Sequence, residues 1–264
     1  MQASLLSVQT ITHNLNTRVF GKRVVYVERA GSTNDLAKQL ADAGEPTGTV
    51  VFADEQIAGR GRLGRTWFAP ACSSLLMSLI LRPSLAPREI TRVTMAVSLG
   101  ACDAVRDETG LAARIKWPND LLVGEKKFAG ILAETQTLGD QIEYVIVGLG
   151  VNVNFHAASI TGIPANATTI ADELGRAFPR ESLARAILQN IERYAVRLGA
   201  GENLRDEWAA RLATLHQPIC AQTEIGVEEG IAEQVDDDGA LLVRRADGSL
   251  ARLLAGDITL RVAS

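Results

Sequence analysis

The sequence contains few of the residues that most often carry covalent or metal chemistry. It has three cysteines, Cys72, Cys102 and Cys220, and three histidines among 264 residues. The cysteines are odd in number, far apart and without C-x-x-C spacing, which favours reduced structural thiols over disulfides, zinc ligands or a redox pair. The histidines are equally scattered, so the spacing indicates neither a Ser-His-Asp arrangement nor a metal cluster.

Long apolar runs and an excess of positive charge are also lacking. The sequence has no run of about 18 apolar residues, and its first twenty residues lack the charged start and apolar core of a signal peptide. We therefore expect no membrane association and a cytoplasmic location. The formal net charge of -4 argues against a surface that binds nucleic acid as a whole, although it allows a local basic patch.

Strand and helix patterns alternate along most of the chain. Residues 32–34 offer side-chain oxygens that can cap a helix over 35–43. Helical spacing of apolar residues predicts a longer helix over 89–109, and further helices are predicted between 169 and 213. Apolar runs predict strands at 24–27, 49–53, 74–81, 113–117, 126–135 and 142–151, of which the last three are expected to be antiparallel neighbours.

The pattern changes after residue 218 to short strands separated by turns such as Asp238-Gly239 and Asp247-Gly248. We predict a small β-barrel there. The whole chain is then an α+β protein with one domain at 1–214 and a second at 215–264. The predicted strands of the tail lie around 219 and at 231–235, 240–244, 250–254 and 258–262.

Residues 59–65, with the sequence GRGRLGR, break every periodicity and are named the arginine loop here. Glycine lets the backbone approach a ligand closely, and each guanidinium can pair with a carboxylate or phosphate through two hydrogen bonds. The loop therefore suits a ligand with crowded negative charge. Taken alone, it also fits a flexible basic surface loop or an RNA-binding segment.

Three further segments place polar groups at the ends of predicted strands. The proline of KWPND at 116–120 fixes a turn, and Asn119 and Asp120 are available for a nucleotide or a metal. Lys127 opens the next strand beside small residues that would let a ligand lie against the backbone. The G-x-G at 148–150 is a weak dinucleotide signal, since no capped helix and third glycine follow. Each segment alone also fits an ordinary turn or a solvated charge.

Together and in this order, the segments resemble the biotin–protein ligase family. The resemblance rests on GSTN at 31–34, Gln56 with GRGRLGRTW at 59–67, KWPND at 116–120, KFAGIL at 127–132 and GLGVN at 148–152. It implies a catalytic domain related to class II aminoacyl-tRNA synthetases and a C-terminal SH3-like barrel. The first motif begins at Gly31, which indicates the form without an N-terminal DNA-binding domain, so we expect no DNA binding.

The resemblance also implies a role for each residue that matches a family motif. At the ureido end of biotin it places Ser32, Thr33, Asn34 and Gln56. At the biotin carboxylate it places Arg60, Gly61, Arg62 and Lys127, and the three cations among these are expected to serve catalysis. The expected ATP or adenylate contacts are Arg65, Trp67, Lys116, Asn119 and Asn152. Asp120 is expected to hold Mg²⁺ indirectly.

The implied reaction joins biotin and ATP into biotinyl-5′-AMP and then transfers biotin to a lysine of a biotin carboxyl carrier protein. The resemblance allows a homodimer formed by sheet pairing, and no residue of the sequence distinguishes a monomer from a dimer. Two alternatives remain at this point. A lipoate–protein ligase shares the reaction but needs a long apolar pocket, and a non-catalytic RNA-binding module would use the arginine loop and the barrel.

Overall fold

A seven-stranded mixed sheet organises the computed structural model, which describes residues 4–223, 226–254 and 256–260. Its strand order is β1-β2-β3-β7-β6-β5-β4. β1 and β2 pair in parallel, and the other neighbouring pairs are antiparallel. The strands are β1 Val24–Ala30, β2 Val50–Gln56, β3 Ser74–Leu81, β4 Ala113–Lys116, β5 Asp120–Val123, β6 Lys126–Leu138 and β7 Gln141–Asn152.

Helices cover both faces of this sheet. α3 and α5 pack on one face and contribute to the main core, whereas α2 packs on the other with a smaller apolar cluster. Gly100 lets α3 and α5 approach closely, because a Cβ there would lie 2.7 Å from Ile191 Cα. The helices are α1 Val8–Thr12, α2 Thr33–Asp42, α3 Thr91–Thr109, α4 Ile170–Leu174, α5 Arg180–Gly199 and α6 Arg205–Ala209.

The last strands form a separate five-stranded antiparallel sheet with the order β11-β10-β9-β8-β12. Its inner side joins the main core. Trp117 Nε1 donates to Gly239 O at 2.9 Å, so this sheet packs against the KWPND turn. The strands are β8 Pro218–Thr223, β9 Gly226–Val235, β10 Leu241–Arg244, β11 Leu250–Leu253 and β12 Asp257–Leu260.

The predicted α+β character and the C-terminal run of strands are confirmed, but one α-helix and one strand were not predicted from the sequence. α1 has only five residues, too few to show a helical period. β5 begins at Asp120, where the sequence predicts a turn, and no strand was predicted over its other three residues. In the structure the chain reverses tightly after Lys116 through a cis Trp117–Pro118 peptide, and Lys116 pairs with Asp120. The expectation that strands 113–117 and 126–135 are neighbours was therefore wrong, because β5 lies between them.

Smaller differences concern element ends. Ser32 is the N-cap residue of α2, but its side chain makes no capping hydrogen bond within the described residues. The long helix starts at Thr91, because 87–89 form a separate 3₁₀ turn. The predicted last strand reached 262, and residues 261–262 lie outside the described part of the chain.

Among the described residues, no helix is both long and apolar enough to cross a bilayer.

Candidate functional site

A single cavity of about 190 Å³ contains the whole set of predicted site residues. It lies between the arginine loop, the glycine-containing parts of β6 and β7, and the KWPND turn, and the segment at 256–258 of the C-terminal sheet contributes to its wall. The predicted residues that line it are Ser32, Thr33, Asn34, Gln56, Arg60, Gly61, Arg62, Arg65, Trp67, Lys116, Asn119, Asp120, Lys127 and Asn152.

One end of the cavity is a buried cluster of neutral polar groups. Thr33 and Asn34 begin α2, and Gln56 ends β2, so the parallel β1–β2 arrangement brings them together. The Thr33 N–H donates to Gln56 Oε1 at 2.7 Å. Ser78 of β3 lies beneath them, with its Oγ 2.6 Å from Asn34 Oδ1 and 2.8 Å from Thr33 Oγ1. We call this group of four residues the polar cluster.

The glycines of β6 and β7 make room for two side chains of the site. A Cβ at Gly148 would overlap Asn34 Oδ1, and a Cβ at Gly150 would lie 2.5 Å from the Trp67 indole. A Cβ at Gly130, which pairs with Gly150 across the two strands, would lie 3.2 Å from the same indole. The G-x-G at 148–150 is therefore explained by side-chain packing, since Asn34 and Trp67 occupy the space that larger residues would fill.

Charged groups collect at the other end of the cavity. Lys127 Nζ lies 2.6 Å from Asp120 Oδ1 and 5.7 Å from the centre of the Trp67 ring. Arg62 donates to Asn119 Oδ1 at 3.1 Å and to Gly256 O at 3.4 Å. This end, named the cationic end, therefore joins the arginine loop, the KWPND turn and the C-terminal sheet.

Arg60 is held differently from Arg62. Its Nη2 lies 2.7 Å from Asp35 Oδ1 and 3.0 Å from both carboxylate oxygens of Glu134. Glu134 Oε2 also accepts from Asn34 Nδ2 at 2.6 Å. The Arg60 guanidinium is thus already paired with two carboxylates through Nη2, so a contact with a ligand would use its other N–H groups or require it to leave these partners.

Two buried polar atoms beside the cavity have no protein partner among the described residues. Asn152 is 4% exposed, and its Nδ2 donates to Thr168 O at 3.1 Å, but its Oδ1 is unpaired. The Trp67 Nε1 is likewise unpaired. Buried polar groups are normally hydrogen-bonded, so both atoms are suited to bind a ligand.

The structure gives limited support for a metal held by protein groups alone. Within 4–223, 226–254 and 256–260, no group of three or more His, Cys, Asp or Glu side chains converges as metal ligands do. Asp120 is the one acidic side chain lining the cavity among these residues. Mg²⁺ commonly uses one or two carboxylates together with substrate phosphates and water, and Asp120 fits that arrangement.

The segment at 155–168 forms a further wall of the cavity, which was not predicted from the sequence. It is attached to β6, because the Lys127 N–H donates to Asn166 O at 2.8 Å. At its other end Asp172 accepts from the Ala157 N–H at 3.0 Å and contacts His156 Nδ1 at 2.8 Å. Burial alone would raise the pKa of Asp172, but these two contacts outweigh it and hold that pKa below its ordinary value. The carboxylate is therefore ionised at neutral pH.

Ser78 and Glu134 were also missed. Both contact predicted residues, but neither belongs to a motif. The available signal was a polar residue inside an apolar strand pattern, as for Ser78 within SLLMSLIL. Such a residue needs a buried partner, although the sequence does not say which one.

Comparisons with known proteins agree on one family. The model of the biotin/lipoate A/B protein ligase family matches residues 26–152, and that of the biotin protein ligase C-terminal domain matches 214–261. A biotin–[acetyl-CoA-carboxylase] ligase of Paracoccus denitrificans is 36% identical over 227 residues, which are 83% of this chain and 93% of that protein. A bifunctional ligase/repressor of Bacillus subtilis is 32% identical over 258 residues, covering 97% of this chain and 79% of the relative.

A solved structure has the same fold. The biotin protein ligase of Aquifex aeolicus, in complex with biotin and ATP, matches with a TM-score of 0.77 and 26% identity. The match covers 92% of this chain and 100% of that one.

Proposed function

The chain belongs to the biotin protein ligase family, and we propose that it activates biotin with ATP and transfers it to a lysine of a biotin carboxyl carrier protein. The observation that carries this proposal is one cavity with two chemically different ends. The polar cluster offers neutral hydrogen-bonding groups, and the cationic end offers Lys127 and Arg62. Biotin has the same division, with a neutral ureido ring at one end and a carboxylate at the other.

We propose that the ureido ring binds among Ser32, Thr33, Asn34 and Gln56. The Trp67 indole, lying on Gly130 and Gly150, supplies an apolar surface between the polar cluster and Lys127. The carboxylate would then lie at the cationic end. Arg60 and Gly61 are proposed to lie beside the carboxylate in the arginine loop. A direct role of Arg60 in charge neutralisation stays a prediction, since its guanidinium pairs with Asp35 and Glu134.

The first step needs positioning and charge neutralisation, because a biotin carboxylate oxygen must attack the equally negative α-phosphate of ATP. Lys127 and Arg62 reduce this repulsion. The new O–P bond forms as the bond between the α-phosphorus and the bridging oxygen breaks, so pyrophosphate leaves and biotinyl-5′-AMP remains. No proton moves and no protein nucleophile is used in this step.

ATP is proposed to bind toward Arg65, Trp67, Lys116, Asn119 and Asn152. The unpaired Oδ1 of Asn152 can accept a hydrogen bond from an amino group such as that of adenine. Mg²⁺ bound together with ATP would supply positive charge that stabilises the phosphates. Asp120, already oriented by Lys127 at 2.6 Å, is the residue that would hold it through water.

The second step attaches biotin to the acceptor. The neutral ε-amine of a lysine attacks the carbonyl carbon of the adenylate, the bond from that carbon to the phosphate oxygen breaks, and AMP leaves while the amine loses a proton. Water would compete with the lysine, so the arginine loop is proposed to close over the adenylate. Gly256 and Ile258 line the same cavity, and this supports a role of the C-terminal sheet in enclosing it.

The finer architectural expectations are part of the same proposal. We propose that residues 1–214 form a catalytic domain related to class II aminoacyl-tRNA synthetases and that 215–264 form an SH3-like barrel. The matched C-terminal family model and the five-stranded antiparallel sheet support the second half. A cytoplasmic location, a homodimer and the absence of DNA binding stay predictions.

Lipoate activation is the second candidate, because one matched family model includes lipoate ligases. The polar cluster favours biotin, since a ureido ring can form hydrogen bonds with its amide and hydroxyl groups, whereas a dithiolane ring offers them neither a strong donor nor a strong acceptor. The purified protein should be incubated with Mg-ATP and either acid and then examined by mass spectrometry. We expect biotinyl-5′-AMP with biotin only. Lipoyl-AMP alone would support the second candidate, and no adenylate with either acid would reject the proposed activity.

The transfer step is tested by adding a biotin carboxyl carrier domain and a variant whose acceptor lysine is replaced by arginine. We expect a biotin-sized mass increase on the first and none on the second. Adenylate without any acceptor modification would limit the activity to the first step.

A further inference from the structure

We propose that Glu134 is a positioning residue that links the polar cluster to the arginine loop. It lies on β6, outside every motif of the sequence. Its carboxylate contacts Asn34 on one side and Arg60 on the other, at 2.6 Å and 3.0 Å. The part of this inference that concerns biotin recognition rests on the proposed function, whereas the part that concerns the loop does not.

The contact with Asn34 sets the direction of its amide. Asn34 is 4% exposed, and its Oδ1 lies 2.6 Å from Ser78 Oγ, so that oxygen is the acceptor. The Nδ2 must therefore donate on the opposite side, where Leu132 O lies at 3.3 Å and Glu134 Oε2 at 2.6 Å. The shorter bond is to the charged group, and hydrogen bonds to charged acceptors are the stronger kind. Glu134 thus stabilises the orientation in which Asn34 joins the polar cluster.

The contact with Arg60 fixes the base of the arginine loop. The loop is a small hairpin, closed by hydrogen bonds from the Gly61 N–H to Arg65 O at 2.6 Å and from the Trp67 N–H to Gly59 O at 2.9 Å. Holding the guanidinium of Arg60 against β6 therefore orients the hairpin that carries the other arginines. Asp35, next to Asn34 on α2, holds the same Nη2 at 2.7 Å.

The ion pairs on Arg60 are suited to a contact that opens and closes. Side-chain exposure is 45% for Arg60, 40% for Glu134 and 50% for Asp35, and exposed pairs of this kind contribute little stability. The bond to Asn34 is the shorter and less exposed of the two contacts. A ligand that moves Asn34 consequently also moves Glu134, which holds the arginine loop through Arg60. This contact couples the two ends of the cavity.

Hydrogen exchange in the ligand-free protein tests the link to the loop. We expect the amides at 59–66 to exchange about two- to fivefold faster in Glu134→Gln and Glu134→Ala. Glu143→Gln, an exposed carboxylate on β7, is the matched control and should exchange at the wild-type rate. Arg60→Gln with Glu134→Gln should exchange no faster than Arg60→Gln alone. Wild-type exchange in both Glu134 variants, or additive effects in the double variant, would contradict the link.

The split between KM and kcat tests the link to the polar cluster. Glu134→Ala should raise KM for biotin about tenfold, because Asn34 loses its charged acceptor. Glu134→Gln keeps an oxygen acceptor and should raise KM only about twofold to threefold, and kcat should change less than KM in Glu134→Ala. An unchanged KM in Glu134→Ala would overturn this link. If the wild type forms no adenylate, the proposed activity fails, but the exchange experiment still decides the link to the loop.

Discussion

The two ends of the cavity are built in different ways. In the polar cluster Thr33, Asn34 and Ser78 are buried and Gln56 is half-buried, and these groups satisfy one another through short hydrogen bonds. The cationic end and the arginine loop consist of partly exposed charges, such as Lys127 at 29% exposure and Arg60 at 45%. Buried hydrogen-bonded groups keep a fixed geometry, whereas exposed ion pairs exchange easily with water and ions.

The difference suggests a division of labour. The groups of the polar cluster are held in place by hydrogen bonds to one another, so the cluster can select the ring of the acid by shape and hydrogen bonding. The cationic end holds its charges in partly exposed contacts such as the Lys127–Asp120 ion pair, which can rearrange when phosphate and carboxylate arrive, so it is suited to complete itself around the substrates. Damage to the two ends should therefore affect binding and turnover in different proportions.

The largest effect is expected from loss of charge at the cationic end. Lys127→Ala should lower the rate of adenylate formation about 10²- to 10³-fold, because a preorganised cation next to the reacting oxygens is removed. The biotin dissociation constant should change far less. Lys126→Ala is the matched control: this neighbouring lysine is 62% exposed and contacts Glu173 at 3.7 Å, and its variant should react at about the wild-type rate. Equal loss in both variants would remove Lys127 from the site.

An intermediate effect is expected from overfilling the polar cluster. Gly148→Ala would place a methyl group on Asn34 Oδ1, so Asn34 must leave its partners. We expect KM for biotin to rise about 10- to 100-fold and the free energy of unfolding to fall by about 1–3 kcal/mol. Gly199→Ala, at a helical position where a Cβ would meet no atom within 4 Å, should leave KM unchanged and should not lower the free energy of unfolding. A Gly148→Ala protein that binds biotin normally would contradict the packing explanation of the G-x-G segment.

The smallest effect is expected from salt. Raising potassium chloride from about 0.05 M to 0.5 M shortens the range over which exposed charges act. KM for ATP should rise several-fold, because ATP binds through phosphates at the cationic end, and KM for biotin should rise less. Equal sensitivity of the two KM values would contradict the contrast between the ends. An uncharged crowding agent at matched viscosity is the control.

The sequence motifs predicted which residues lie close together, because most of these motifs lie on strands that are neighbours in the sheet. Residues 127–132 and 148–152 face each other on β6 and β7, and Gln56 and Thr33 meet through the β1–β2 crossover. Strand pairing alone brings these segments together. The predicted residues therefore gather in one cavity, although their roles toward each ligand stay proposals.

What the sequence could not predict depends on contacts between distant residues. Glu134 meets Asn34 across 100 positions and Ser78 meets it across 44, and neither distance leaves a local pattern. The wall at 155–168 carries no motif and is placed by backbone bonds to Lys127. β5 was missed because its four residues follow a tight reversal that looks like the end of a strand.

Biotin-dependent exchange of labelled pyrophosphate into ATP is the most direct test of the central claim, that this cavity activates biotin. The exchange requires reversible formation of the adenylate and needs no acceptor protein. We predict exchange that depends on biotin and Mg²⁺, is absent with lipoate, and is reduced about 10²- to 10³-fold in Lys127→Ala. A well-folded protein that shows no biotin-dependent exchange, or the same exchange with lipoate, would contradict the account.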